Sequence, residues 1–260
     1  MILALCAENT VIFIGGYEKG TRQFALSLAA DTHLTEDQYT AAIGQMLGFY
    51  GSTGRKWEGG ILSSVVPKLT EVLRGALSRL CKGKVYLVSP GLKTGLSIKS
   101  QDPSMFGSDI VCTCAAAVRK YPAPCVVIDM GTATTFSAID AHGALIGKAI
   151  FPGAEISLEA LSQRAALLPA AAMGEPGELI ATGTMDAMRS GLIYGYASMV
   201  DGMSARFCEQ LGEGTTLVAT GALSKAIVPY CRAKITLDEH LALDGLYHIY
   251  CKNAPHSVRG

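Results

Sequence analysis

Cys125-Val-Val-Ile-Asp-Met-Gly-Thr-Ala-Thr-Thr-Phe-Ser-Ala-Ile139 is the stretch that decides the fold. Its first five residues form a continuous apolar run closed by Asp129, the pattern of a strand buried on both faces. Met130-Gly-Thr-Ala-Thr134 is a small polar turn, and Thr135–Ile139 is a second strand. Ala141-His-Gly143 then turns the chain into a third strand through Ile150. The chain opens in the same way. Residues 2–6 and 11–14 are β-type runs on either side of Ala7-Glu8-Asn9-Thr10, and Gly15-Gly16 and Gly20 punctuate a return toward a third strand at Gln23–Leu28. A strand, a polar turn and a strand at the head of each half predict a duplicated α/β domain. The domains expected are 1–121 and 122–260, divided where Pro122 and Pro124 interrupt the chain.

Helical spacing fills in the rest. Thr35-Glu-Asp-Gln38 is an N-cap signal for a helix running toward Gly48. Gly60–Val66 reads as a strand ended by Pro67, followed by a helix at Leu69–Leu80 and a buried strand at Val85–Val88. Another helix is expected from about Ser108 to Lys120, with more at 155–166, 184–210 and 221–230. The strand Thr216–Ala219 ends at Thr220-Gly221, as strands do beside ligands in α/β sheets.

Composition narrows the function. Hydrophobic residues make up 49% and charged residues 17% of the 260, enough for a sizeable core. Lys+Arg and Asp+Glu both number 22 without a basic stripe, so no nucleic-acid or membrane partner is expected. The N-terminal residues Met1–Cys6 lack a basic leader and no long apolar run occurs, so a cytoplasmic location is expected. The eight cysteines sit in apolar stretches and read as buried thiols, and Cys112-x-Cys114 lacks a second pair at zinc-site spacing.

The turn after Asp129 carries chemistry. Gly131 lets backbone approach a ligand closely, Thr132 and Thr134 offer hydroxyls beside backbone N–H groups, and Asp129 can hold a cation. The string Asp129-Met-Gly131-Thr132-Ala-Thr134-Thr135 closely resembles the phosphate turn of the type III pantothenate kinases, in the actin and sugar-kinase superfamily. So do Ile61-Leu-Ser-Ser-Val-Val-Pro67, Gly91-Leu-Lys-Thr-Gly95, Pro152-Gly153 with Ser157-Leu-Glu-Ala-Leu161, Met199-Val-Asp-Gly202, Ala219-Thr-Gly221 and Leu243-Asp-Gly-Leu246. The resemblance implies two actin-like (ribonuclease H-like) domains with a nucleotide cleft between them, a homodimer, and ATP-dependent phosphorylation of pantothenate toward coenzyme A. By resemblance Asp109 is the general base. Asn9, Thr10, Gly131, Thr132 and Thr134 bind ATP with Mg2+. Asp129 ligates a monovalent cation, K+ or NH4+. Ser100, Gly107, Ser108, Ile110 and Thr184 occupy substrate-binding positions.

Besides Ser100, where the family has a substrate-facing tyrosine, and Ala181-Thr182-Gly183, which lacks the lysine usual before Thr184, three positions depart from that pattern. Cys6 stands where the family has an aspartate that organises magnesium, Glu8 replaces a glycine of the first turn, and Ile110 replaces an arginine that follows the general base. A thiol is a poor ligand for a hard cation, and an apolar side chain cannot pair with a carboxylate. Alongside a working kinase, these positions raise a second reading: an inactive homologue that acts as a regulatory or protein-binding subunit. A third, a kinase for a neutral small molecule, follows from the missing arginine.

Overall fold

The computed structural model describes residues 1–52 and 57–254. They form two compact units. The first comprises Met1–Leu96, Gln101–Arg119 and the C-terminal stretch from His240; the second comprises Ser97–Ser100 and Lys120–Glu239.

The first unit is built on five strands: β1 (Ile2–Ala7), β2 (Val11–Glu18), β3 (Thr21–Ala29), β4 (Gly59–Ser64) and β5 (Val85–Leu87). Their order is β3-β2-β1-β4-β5. β1 pairs antiparallel with β2 and parallel with β4, so it lies at the centre. Its six residues are all buried and alternate between two cores. Leu3, Leu5 and Ala7 point into a cluster with Tyr39, Ile43, Leu69, Leu73 and Leu77, which come from α1 (Glu36–Leu47) and α2 (Pro67–Leu80). Ile2, Ala4 and Cys6 point into a second cluster with Cys112, Leu243, Leu246 and Ile249, from α3 (Ser108–Lys120) and α7 (Leu241–Asn253).

Local chemistry sets the helix ends. Thr35 accepts from the Gln38 backbone N–H, and the Gln38 side chain accepts from the Thr35 N–H, closing the expected capping box on α1. Pro67 does more than end β4: it occupies the first turn of α2, where its missing N–H costs nothing. β2 runs on through Gly15 and Gly16 to Glu18, four residues past the expected end. The reason is packing. A Cβ on Gly16 would lie 2.4 Å from the Phe24 ring of the neighbouring strand, so these glycines make room for a side chain rather than form a turn.

The second unit repeats the plan with β7 (Cys125–Met130), β8 (Ala133–Ile139), β9 (Ala144–Pro152), β10 (Thr216–Thr220) and β11 (Thr236–Leu237). The order β11-β10-β7-β8-β9 is that of the first sheet, with β6 (Ser97–Ile98) added outside β9. β7 is again central, antiparallel to β8 and parallel to β10. The duplication expected from the two openings is therefore present in the topology. Val126, Ile128 and Met130 pack with Ile193, Tyr196, Ala197 and Val200 of α5 (Thr184–Leu211) and with Ala154 of α4 (Ala154–Arg164). The expected helix at 221–230 is shorter: α6 is Ser224–Ile227, continued by a single 3-10 turn. No helix among the described residues is long and apolar enough to cross a membrane.

α7 follows the second sheet in sequence but packs on the first. A cut after Tyr121 would assign it to the other half. Tyr17 Oη donates to Asp244 Oδ1 at 2.6 Å, Arg22 Nη1 donates to the same oxygen at 2.6 Å, and the Tyr17 and Tyr247 rings stack at 4.5 Å. Gly245 lies so close to the Cys112 carbonyl that a Cβ would stand 1.9 Å from that oxygen. The Leu243-Asp-Gly-Leu246 motif is thus a docking device for α7.

Candidate active site

Ligand sites in open α/β sheets form outside the carboxyl ends of parallel strands. In the first unit those ends belong to β1 and β4, where Cys6 pairs with Ser63 and Ala7 with Ser64. The chain leaves β1 through a tight turn closed by the Glu8 N–H donating to the Val11 carbonyl at 2.8 Å, with Asn9 and Thr10 exposed at its tip. α3 starts beside it. Ser63 Oγ donates to Ser108 Oγ at 2.8 Å, and Ser108 Oγ donates to the Ser64 carbonyl at 3.3 Å. Asp109 lies in the first turn of α3, where the helix dipole favours a carboxylate. Gly107 makes room for it: a Cβ there would stand 2.3 Å from Asp109 Oδ1.

The three departures have defined surroundings. Cys6 has no solvent exposure and belongs to the apolar cluster under α3 and α7. Ile110 is 4% exposed, turned into the interior. Glu8 is half-buried. The donor set at the end of β1 does not fit a magnesium site built by the protein, because a buried thiol replaces the hard oxygen ligand such a site needs. Among the described residues no group of three or more His, Cys, Asp or Glu side chains is gathered to hold a metal ion.

In the second unit the corresponding strand ends belong to β7 and β10, with Asp129 paired to Thr220. Asp129 is the penultimate residue of β7 as Cys6 is of β1, so the two occupy equivalent places in the repeat. The turn after β7 is held by the Gly131 N–H to the Ala133 carbonyl at 3.1 Å and by the Gly153 N–H to the Thr132 carbonyl at 3.1 Å. Gly153, the N-cap of α4, fits so tightly that a Cβ would stand 2.3 Å from the Thr132 carbonyl oxygen. Gly221 has φ +92°, and a Cβ there would lie 2.5 Å from Asp129 Oδ1 and 2.6 Å from the Met130 nitrogen. Backbone thus approaches backbone on two sides of the turn. Thr132 Oγ1 in the turn and Thr135 Oγ1 on β8, the residue paired with Asp129, are buried without a hydrogen-bond partner. Buried hydroxyls are rarely left so, and this pair suits a ligand that brings its own oxygens or charge.

Thr134 faces the other way. It is 1% exposed and its Oγ1 lies 2.6 Å from Tyr196 Oη, which donates its one proton to the Pro152 carbonyl at 2.6 Å. Thr134 must therefore donate to Tyr196, and its hydroxyl fixes the turn from behind. Thr184 is exposed at the first turn of α5, on the wall of a cavity of about 550 Å3 also lined by Leu158, Leu161 and Met188. Ser100 is exposed just beyond β6, which pairs with the opening residues of β9, whereas Ala133 and Thr134 pair with its end. Within the first unit the structure brings the turn at 9–10 and the residues 107–110 to adjoining strand ends. Within the second it gathers Asp129, Gly131 and Thr132, and sets Ser100 and Thr184 on other elements. Sequence reasoning did not single out Ser63, Thr135, Gly153 or Gly221 as site residues. The glycines stood in quoted motifs, but their close approaches are tertiary.

A family model described as type III pantothenate kinase matches residues 2–206. A type III pantothenate kinase of Bacillus cytotoxicus is 36% identical over 254 residues, covering 98% of this chain and 97% of that protein. Among solved structures, a Campylobacter jejuni protein assigned to the Baf family of transcriptional activators has TM-score 0.58 at 18% identity, covering 96% of this chain and 98% of that one. The activator of 2-hydroxyisocaproyl-CoA dehydratase from Clostridium difficile, with bound ADPNP, has TM-score 0.52 at 10% identity, covering 96% and 93%. At these identities the solved structures speak for the fold alone.

Proposed function

The chain belongs to the type III pantothenate kinase family, and on that premise we propose that it transfers the γ-phosphoryl group of ATP to the primary hydroxyl of pantothenate, giving 4'-phosphopantothenate. The observation that carries this reading is the pair of strand-end sites on a repeated sheet. One presents Asp109 at a helix start; the other presents a glycine-backed turn with two unpartnered buried hydroxyls.

Phosphoryl transfer asks a protein mainly for positioning and charge stabilisation. The substrate oxygen forms its bond to the γ-phosphorus as the bond to the β–γ bridging oxygen breaks, and ADP leaves. Asp109 accepts the hydroxyl proton. The N–H groups around Gly131 and the Thr132 hydroxyl take the phosphates, with the α4 N-terminus behind them. Asn9 and Thr10, exposed at the tip of the turn after β1, are assigned to ATP on the family's pattern. Thr134 holds the turn's shape through Tyr196. Magnesium enters as part of its complex with ATP, the substrate. Asp129, beside Gly221, is the ligand for K+ or NH4+.

Gly107, Ser108, Ser100 and Thr184 fall to the pantothenate side. Ile110 offers the pantothenate carboxylate no charge-assisted partner, so affinity for this substrate rests on neutral contacts. We also assign the protein to the cytoplasm and to a homodimer formed through the second unit. Leu158, Met188, Ile193 and Tyr196 of α4 and α5 are core. Leu161, Leu167, Leu179, Ile180, Ile150 and Phe151 are exposed and supply the apolar surface such a contact needs. Sedimentation equilibrium at micromolar concentration tests it, and a monomer refutes it. We also propose the boundary of the sequence repeat after Tyr121, giving 1–121 and 122–260, with α7 packed on the first sheet.

Asp109→Asn tests the chemistry. In a coupled assay of pantothenate-dependent ADP release, kcat is expected to fall about 10²- to 10⁴-fold with the KM for ATP little changed. Wild-type turnover in this variant refutes the assignment of Asp109 as base.

A further inference from the structure

α3 presents its first turn, and with it Asp109, at the carboxyl end of β4. What fixes the rotation of that turn is a single side chain. Ser63 is wholly buried, and its hydroxyl donates to Ser108 Oγ at 2.8 Å. The Cys112 thiol, wholly buried on the same helix, lies beside that hydroxyl, whose one proton is already given to Ser108, and burial pushes the thiol's pKa up. Ser108 and Cys112 are four residues apart, so they stand on one face of α3, one above the other. Ser63 therefore holds the first turn of α3 by its hydrogen bond to Ser108 and lies beside the next turn at Cys112. Asp109 follows Ser108 by one residue, about 100° around the helix axis. Holding the Ser108–Cys112 face against β4 sets the direction in which the Asp109 carboxylate points.

Two further contacts keep the helix on this pin. Ser108 Oγ passes its own proton to the Ser64 carbonyl at 3.3 Å, extending the link to the next residue of β4. Near the same turn, Gly245 of α7 meets the Cys112 carbonyl at a distance that admits no side chain. α3 is thus held by a strand hydroxyl and braced by a helix glycine. A buried serine hydroxyl that only filled space would not need a partner on the element that bears the base.

We propose that Ser63 is a positioning residue for phosphoryl transfer, holding Asp109 in register with the attacking hydroxyl through Ser108. The proposal rests on the kinase reading for its consequence in turnover, and on geometry alone for its consequence at Asp109. Misplacing a reacting group by about 1 Å costs on the order of 10²-fold in rate. Ser63→Ala is accordingly expected to lower kcat about ten- to a hundredfold while leaving the KM for ATP and for pantothenate within about twofold. A loss that acts through Asp109 must vanish when Asp109 cannot act. The same Ser63→Ala change made in Asp109→Asn should lower the residual kcat no further, which a general loosening of the fold would not reproduce.

The experiment combines that kinetic square with a readout that needs no turnover. The Asp109 carboxyl 13C resonance, assigned by its absence in Asp109→Asn, is titrated in wild type and in Ser63→Ala. Positioning predicts a displaced titration curve in the variant, with the remaining aspartates unmoved. An unchanged Asp109 curve overturns the proposal, and so does wild-type kcat in Ser63→Ala or an equal further loss in the Asp109→Asn background. A wild-type protein that phosphorylates no pantothenate refutes the kinase reading instead, and the titration then decides the role of Ser63.

Discussion

Gly221→Ala probes the phosphate turn where backbone and carboxylate come closest. The wild-type residue has φ +92°, and an added Cβ would stand 2.5 Å from Asp129 Oδ1, 2.6 Å from the Met130 nitrogen and 2.7 Å from the Met130 carbonyl carbon. An L-residue in this left-handed region costs about 1–2 kcal/mol. Two of the three neighbours are main-chain atoms of a central strand and cannot rotate away, which adds about 1–3 kcal/mol of overpacking. The total is about 2–5 kcal/mol. With a urea m-value of about 1–3 kcal/mol/M, the unfolding midpoint of the second unit should drop by roughly 1–2 M. Gly195→Ala serves as the opposite control. It lies within α5 with nothing within 4 Å of an added Cβ, so the better helix former should raise the midpoint slightly. The substitution at 221 should also raise the KM for ATP, because Asp129 and the turn must shift together. An unchanged midpoint and unchanged KM in Gly221→Ala would refute the claim that this glycine holds the turn in place.

Other perturbations separate structural from chemical roles. Asp244→Ala removes the shared acceptor of buried Tyr17 and half-buried Arg22, and should cost about 1.5–3 kcal/mol in urea unfolding. A loss below about 0.5 kcal/mol would mean that α7 docks without this group. The Asp140 carboxyl is held down to about 2, first by Lys99 and then by the Ala144 and His142 N–H groups. Its folded pKa lies below its unfolded one, so its contribution is complete above about pH 4 and disappears as pH falls toward 2. Acid titration of Asp140→Asn should accordingly show a shallower loss across that window, and an identical acid limb would contradict it. None of the eight cysteines forms a disulfide, and Cys6, Cys81, Cys112, Cys114 and Cys125 are buried, with burial pushing the thiols of Cys81 and Cys125 up to about 12. A thiol reagent should therefore label only Cys208, Cys231 and Cys251 before unfolding, and rapid labelling of all eight in native protein would contradict the packing.

Much of the scaffold was legible because it rests on local rules. The apolar run at 125–128 and its counterpart at 2–6 are strands buried on both faces, and such runs show directly in sequence. The capping box at Thr35 and Gln38 is equally local. What escaped is tertiary. Gly15 and Gly16 read as turn residues because glycine marks turns, yet they lie inside β2, where Tyr17 and Leu243 crowd Gly15 and the Phe24 ring needs the space at Gly16. α7 follows the second sheet in sequence and docks on the first, guided by Asp244 reaching Tyr17 and Gly245 reaching Cys112. At the site, Asp129, Thr132 and Thr134 were all read from one seven-residue string, but only the fold shows the Thr134 hydroxyl bonded to Tyr196. Ser63 stood only as one letter of the Ile61–Pro67 motif: a serine near the end of an apolar strand is ordinary until a helix start is found resting on it.

The central claim is that the phosphate turn, the base and the altered first turn still make a kinase for pantothenate. Incubating the purified wild-type chain with γ-labelled ATP, magnesium, potassium and pantothenate, then resolving the products, tests it most directly. The account predicts label on 4'-phosphopantothenate, dependent on pantothenate and abolished by Asp109→Asn. Label that stays on ATP or appears only as inorganic phosphate, in a well-folded protein at saturating substrates, would contradict it.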